Sequence, residues 1–283
     1  VSTTDTVIVG NSISRGIPAV EDLLSRGHRV YSGAGWLSEQ VLSRRKTIAI
    51  AGTHGKTTTT ALTTWLLKCA GETPGHLLGG IANNFSTSAT LGQAPYFVIE
   101  ADEYDTAFFD KRPKFFHYPA HALILNNLEF DHADIYPNFE AIVTQMRHYL
   151  LTLVPDTPVI YPQDCPHLSK LIHDAFWLRG IASHADSTKG PWRLVQQSKD
   201  WRSFTIYDDQ ERAHDITWPL MFKHNAQNAL HAVMVRHALS KSITIAAQHL
   251  HEFKGVARRM QSIPHNHPSQ AIWDDFAHHP TAL

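Results

Sequence analysis

The segment Gly52-Thr-His-Gly-Lys-Thr57 brings together two glycines, a lysine and a hydroxyl, the groups from which a phosphate cradle is built. Glycines let backbone N–H groups approach phosphate oxygens, and a following helix N-terminus adds positive potential. Lys56 can then reach a terminal phosphate, while the Thr57 hydroxyl is a ligand for Mg2+. These groups suit the triphosphate of ATP. The usual G-x4-G-K-[ST] spacing is not met, because Ile50 stands where the first glycine would be. A plain glycine turn with a solvated lysine is therefore the competing reading. Glu100-Ala-Asp-Glu-Tyr-Asp105 packs four carboxylates into six residues. That density repels itself unless a cation shares it; a solvated acidic turn is the alternative. Asn126-Asn-Leu-Glu-Phe-Asp-His132 adds amides, acids and a histidine, although imidazole is a poor Mg2+ ligand on its own. His224-Asn-Ala-Gln-Asn228 could set amides against an adenine edge or simply cap a helix. Arg258-Arg259 offers charge for phosphate, and Asp274-Asp-Phe-Ala-His-His-Pro280 joins two acids to two histidines.

The elements around these residues decide whether they meet. Thr47-Ile-Ala-Ile-Ala51 predicts a buried strand leading into the glycine loop, followed by a helix to Ala70. In it Leu62, Trp65, Leu66 and Cys69 form one apolar stripe, and Gly71 is the stop. Tyr96-Phe-Val-Ile-Glu100 and Ala122-Leu-Ile-Leu-Asn126 predict two further strands, and 138–151 a helix. Continuous apolar strands alternating with amphipathic helices imply a parallel sheet covered on both faces. Lys56 with Thr57, Glu100 and His132 then fall at carboxyl ends of strands, where open α/β sheets gather ligands. Upstream, residues 6–10 read as a strand, 18–26 as a helix stopped by Gly27, and 36–42 as a weaker helix. Short alternating runs from Pro191 to Pro219 predict antiparallel edge strands, and helices follow at 225–239 and 243–253. Residues 263–269 have linker composition, and a new strand begins at Gln270.

The 283 residues are length for about two domains, and 43% hydrophobic with 18% charged residues is a folded, soluble balance. With 25 Lys plus Arg against 26 Asp plus Glu, no global field favours a polyanion, so no nucleic-acid partner is expected. No apolar stretch is long enough to span a bilayer and Val1–Thr6 lacks a secretory leader's pattern, so no membrane partner and a cytoplasmic location are expected. The two cysteines, Cys69 and Cys165, match no zinc or redox spacing and read as buried small apolar residues. The 20 histidines are mostly scattered, so no dedicated zinc site is expected.

Taken in order, Gly52-Thr-His-Gly-Lys-Thr-Thr-Thr59, Glu100-Ala-Asp-Glu, Asn127-x3-Asp131-His132, His224-Asn-x2-Asn228, Arg258-Arg259 and Asp275-x2-His278-His279-Pro resemble the Mur ligase family of ATP-dependent amide-forming enzymes. The similarity spans most of the chain and is closest to the muramate-handling branch. It implies an α/β architecture: a central P-loop-type, mostly parallel sheet with flanking helices, at 47–263. A remnant of an N-terminal Rossmann-like UDP-substrate domain would lie at 1–46, and the first strand of a C-terminal Rossmann-like ligase domain at 270–283.

The resemblance also implies roles. ATP would lie on Gly52, Thr53, His54, Gly55, Lys56, Thr57 and Thr58, with Lys56 on the β- and γ-phosphates. Thr57, Glu100 and His132 would be Mg2+ ligands, Asn225 and Asn228 would face the nucleotide, and Arg259 the γ-phosphate. Asp275 would mark the hinge to the third domain, His278 would lie near the incoming amine, and Asn11, Ser12, Ser14, Asn127 and Asp131 would contact the other substrate. The implied reaction activates the lactyl carboxylate of UDP-N-acetylmuramate as an acyl phosphate, which an amine then attacks. That amine belongs to the murein tripeptide L-alanyl-gamma-D-glutamyl-meso-diaminopimelate, with L-alanine as the alternative and a nucleotide-binding module without turnover as a reading of another class. Lys56 is expected to serve the phosphate alone, so that its loss would spare the fold. The family's glycine-rich UDP loop has no counterpart in this sequence, which suggests a fragment or a chain with segments omitted near Ser187 and Pro264. No lysine occurs between Lys114 and Lys170 to match the carbamylated lysine of some members.

Overall fold

The computed structural model describes residues 5–93, 95–131, 133–185, 187–263 and 272–277. A parallel pair, β1 (Val7–Val9) and β2 (Val30–Ser32), is bridged by α1 (Pro18–Ser25), and α2 (Gly33–Gln40) leads to β3 (Lys46–Ala51) and α3 (Lys56–Cys69). Next come β4 (Gly75–Leu77), β5 (Ala89–Thr90), β6 (Tyr96–Glu100), the hairpin β7 (Asp105–Ala107) and β8 (Asp110–Pro113), and β9 (Ala120–Leu125). The chain continues through α4 (Phe139–Leu150), β10 (Pro158–Pro162), α5 (Pro166–Asp174) and β11 (Arg179–Ser183). An antiparallel meander of β12 (Arg193–Gln196), β13 (Ser203–Tyr207) and β14 (Ala213–Thr217) precedes α6 (Lys223–Ala238) and α7 (Ile243–His249). A last antiparallel pair joins β15 (Gln261–Ile263) to β16 (Ile272–Asp274).

Seven strands form the main sheet in the order β11-β10-β9-β3-β6-β4-β5, parallel throughout except for β5. The chain winds first to β4 and β6 on one side of β3, then to β9, β10 and β11 on the other. That reversal at β3 leaves a crevice beyond its carboxyl end, the place where such sheets take ligands.

The alternation along β3 explains its unbroken apolar sequence. Ile48 and Ile50 join the core beneath α3, α6 and the meander, whereas Ala49 and Ala51 join the opposite core with residues of α4 and α5. A strand covered on both faces has no polar side to show. Ala34 of α2 and Leu42 are buried in that second core as well, so the segment ahead of β3 is packed against the sheet.

Three expectations needed correction. The single apolar stripe on α3 is instead a helix buried nearly all round, from Lys56 through Thr64 and again at Leu66 and Leu67. Its threonines tolerate this because Thr60 and Thr64 donate their hydroxyls to the carbonyls of Lys56 and Thr60 four residues back, each at 2.8 Å. Neither cysteine is fully buried: Cys69 and Cys165 are both half-buried and free. The helix expected to run to Phe253 ends at His249 and tightens into a 3-10 turn at Leu250–Glu252. Strands β10 and β11 carry short signals: Val159-Ile-Tyr161 is a strand-forming run of only three residues between two prolines, and β11 contains Gly180. No helix among the described residues is long and apolar enough to cross a membrane.

Ile48 is fully buried at the centre of the larger core. Ile48→Ala should lower the unfolding free energy by about 2–5 kcal/mol, read as a reduced midpoint in chemical denaturation at unchanged slope.

Candidate active site

The glycine loop joins β3 to α3 without a side-chain cap. Gly55 is the N-cap residue, at φ +78°, and no side chain accepts from the first helical amides, which leaves them open to an anion. A Cβ on Gly55 would stand 2.6 Å from Asn228 Oδ1, so only glycine permits both the left-handed backbone and the approach of α6. Asn127 clamps the loop from the far side. Its Oδ1 accepts from the His54 N–H at 2.8 Å and its Nδ2 donates to the His54 carbonyl at 3.2 Å. Thr53 Oγ1 accepts from the Glu129 N–H at 2.9 Å.

Lys56 is buried and already engaged. Its Nζ donates to Glu103 Oε2 at 2.7 Å and to the Gly52 carbonyl at 2.8 Å, and lies 3.8 Å from Asp102. Burial alone would lower the lysine pKa, but the Glu103, Asp102 and Glu100 carboxylates outweigh it and raise the value, so the ammonium is held charged.

Glu100, at the end of β6, faces the same loop. The Thr57 hydroxyl lies 3.1 and 3.0 Å from its two oxygens, and the Gly79 N–H donates to it at 2.8 Å. Burial pushes the Glu100 carboxyl above the usual range, despite the opposing pull of the Gly79 amide and Lys56. A hydroxyl and a carboxylate side by side are the hard oxygen donors that Mg2+ takes, so these residues fit that ion. The rest of the acidic run is divided between partners. Asp102 pairs with Lys114 at 3.2 Å, and Asp105 with Lys111 at 2.6 Å away from the loop.

Behind the loop, at the end of β9, is a network that the sequence reading missed. Asn126 Nδ2 donates to Thr59 Oγ1 at 2.9 Å and to the His54 carbonyl at 3.3 Å. Asn126 Oδ1 lies 3.0 Å from His231 Nδ1, and His231 Nε2 lies 2.8 Å from Ser183 Oγ. Burial lowers the His231 pKa to about 4, so its ring is neutral and Nδ1 is the donor to Asn126. The spacing marks the residue though not its partner: His231 follows Asn228 by three positions on α6 and shares its face.

These elements surround a cleft of about 1140 Å³. Thr53 to Thr58, Glu100, Asn127, Asp131, Asn225, Asn228, Arg259 and Asp275 all line it, so residues from six sequence motifs meet in one place. Six carboxylates, Glu100, Asp102, Glu129, Asp131, Asp164 and Asp275, face it against Lys56 and Arg259. A polyphosphate could enter such a wall only with further positive charge. Gly52 supports the loop from behind, against the backbone of Asn126 and Asn127. Asn225 donates to the Met221 carbonyl at 2.8 Å, and Asp275 accepts from the Met260 N–H at 3.0 Å and the Ala277 N–H at 2.7 Å. Asn11, Ser12 and Ser14 are exposed beyond β1 and are not among the residues lining the cleft. His132 and His278 lie outside the described residues.

A central parallel sheet whose middle strand runs into a glycine loop, lysine and helix defines an α/β protein of the phosphate-loop class. Residues 50–236 match the Mur ligase middle domain, and the chain belongs to the Mur ligase family. It is 40% identical over 280 residues to the UDP-N-acetylmuramate–L-alanyl-gamma-D-glutamyl-meso-2,6-diaminoheptandioate ligase of Escherichia coli, covering 99% of this chain and 60% of that protein. The UDP-N-acetylmuramate–L-alanine ligase of Rickettsia bellii is 30% identical over 98% of this chain and 58% of its own length. A crystal structure of a murein peptide ligase from Psychrobacter arcticus superposes with a TM-score of 0.84 at 38% identity, covering 98% of this chain and 61% of the other. The chain thus spans about 60% of the length of the relatives it matches.

Two outcomes follow from these buried ionisable groups. Contrary to the expectation that Lys56 serves phosphate alone, Lys56→Met removes the buried ammonium that Glu103 faces at 2.7 Å and should cost about 3–5 kcal/mol in chemical denaturation, with Lys56→Met/Glu103→Gln recovering much of the loss. For His231, whose folded pKa lies below its unfolded value, acid favours the unfolded chain. The stability that the neutral ring contributes is present above about pH 6.5 and is lost as pH falls toward about 4. Between those limits the fall in unfolding free energy should be shallower in His231→Gln than in the parent, as measured by urea midpoints.

Proposed function

We propose that the protein is an ATP-dependent ligase that joins L-alanyl-gamma-D-glutamyl-meso-diaminopimelate to the lactyl carboxylate of UDP-N-acetylmuramate. The observation that carries the reading is the Thr57–Glu100 pair beside Lys56 at the head of α3, hydroxyl, carboxylate and ammonium within one loop's reach. The amine substrate is supported by the name of the 40% identical relative, against 30% for an L-alanine ligase.

In this reading Lys56 exchanges Glu103 for the β- and γ-phosphates, and the amides of residues 53–58 cradle them. Thr57 and Glu100, with His132, would hold Mg2+, which supplies positive charge to the phosphates when bound. Arg259 serves the γ-phosphate, and Asn225 and Asn228 border the nucleotide. Two anions, a carboxylate and a triphosphate, must meet in this cleft, and Lys56 and Arg259 lower the barrier by offsetting their repulsion. Asp131, which lines the cleft, is assigned to the UDP-bearing substrate. Asn127 acts through the loop it clamps. Asp275, which accepts from the Met260 and Ala277 N–H groups, is assigned to the hinge to the third domain, and His278 to the incoming amine. Asn11, Ser12 and Ser14 are assigned to the UDP-bearing substrate. We assign 1–46 to the UDP-substrate domain, 47–263 to the ATP-binding domain and 270–283 to the start of the ligase domain. A cytoplasmic location accords with the need for ATP.

The full-length protein, given ATP, Mg2+ and UDP-N-acetylmuramate, should release phosphate with the tripeptide at least about tenfold faster than with L-alanine. Lys56→Ala should abolish release with either. Faster release with L-alanine would move the protein to that specificity, and ATP binding without amide formation would leave a nucleotide-binding module.

A further inference from the structure

The far end of α3 carries a second cluster, remote from the cleft. Cys69 closes the 14-residue helix that Lys56 opens, about 20 Å away along its axis. Beside it stand His249, the last residue of α7, and Glu252 in the 3-10 turn that follows. The Cys69 sulfur, a His249 ring nitrogen and a Glu252 carboxylate oxygen all lie within 4.8 Å of one another. It is the one such grouping of three or more among the described residues. His249 Nδ1 and Glu252 Oε1 are 3.1 Å apart, and His251 Nε2 lies 3.8 Å from the same oxygen.

We propose that Cys69, His249 and Glu252 form a zinc-binding site, independent of the nucleotide cleft. One thiolate sulfur, one imidazole nitrogen and one carboxylate oxygen are a donor set for Zn2+ and a poor one for Mg2+, which favours oxygen. Tetrahedral bonds of about 2.0–2.3 Å place neighbouring donors roughly 3.3–3.8 Å apart. The His249–Glu252 pair, at 3.1 Å, is slightly closer than that, and the Cys69 sulfur lies within 4.8 Å of both, so about 1 Å of side-chain movement brings the three donors to it. The backbone is held in place for it. Trp65 Nε1 donates to the His249 carbonyl and Asn84 Nδ2 to the Glu252 carbonyl, both at 3.0 Å, while the Lys254 N–H donates to Asn84 Oδ1 at 2.7 Å. Three protein ligands leave a fourth position on the exposed side, for water or His251. A bare ion pair between His249 and Glu252 would account for those two residues but not for the thiol that completes the set. The ion would fasten the end of α3 to the turn after α7.

Cobalt reports on this directly, because only a cysteine ligand produces thiolate-to-Co2+ charge-transfer absorption, and the chain has two cysteines. Titration of the 283-residue chain with Co2+ should raise that band to saturation at one equivalent, and Zn2+ should abolish it. The band should survive Cys165→Ser and disappear in Cys69→Ser. His249→Ala, altering a partly exposed side chain, should weaken Co2+ binding markedly with the fold unchanged by circular dichroism, and serves as the test if Cys69→Ser fails to fold. Absence of the band in the parent chain, its persistence in Cys69→Ser, its loss in Cys165→Ser, or unaltered binding in folded His249→Ala would overturn the site.

Discussion

The constraint on which the rest of the structure depends is the concentration of negative charge at the carboxyl edge of the sheet. Glu100 and Glu103 are brought within reach of Lys56 because β6 ends beside β3, and Lys56 is the buried cation that answers them. A buried ammonium between carboxylates is tolerable only while each charge retains a partner. The same arrangement is suited to exchange: an arriving phosphate can take the place of Glu103 at Lys56, and a divalent cation can answer Glu100.

Around that charge the fold supplies rigid supports. The loop is held from β9 by Asn126 and Asn127, and from α6 by Asn228, whose side chain leaves room for no residue but glycine at 55. His231 links Asn126 to Ser183 of β11, across β10. Since the network is fully buried, its neutral histidine orients the asparagine amide by offering a donor to Oδ1, which leaves Nδ2 for the loop. The acidic wall is thus a cleft whose shape is set before any ligand arrives.

The two ends of α3 divide the molecule's chemistry. Its N-terminus meets the phosphate loop, while its C-terminus stands among Cys69, His249 and Glu252. Between them the helix is buried by the sheet on one side and α6 and α7 on the other, with threonines satisfied by their own backbone.

Much of this was legible in the linear order. The glycine loop between Ala51 and Lys56, the apolar strands ending at Glu100 and Leu125, and helices at 56–69, 139–150 and 223–238 follow from local periodicity and turn chemistry, which act over a few residues. The same local signals failed at Pro158–Pro162 and Arg179–Ser183, where strands form because neighbours pair with them and bury them. Partnership lay beyond the sequence altogether. Nothing in the order of residues says that Glu103 rather than a phosphate holds Lys56, that His231 reaches Asn126 across 105 positions, or that Cys69 stands beside His249. Those contacts depend on how sheet and helices pack, and packing is a property of distances in space that separation along the chain does not encode.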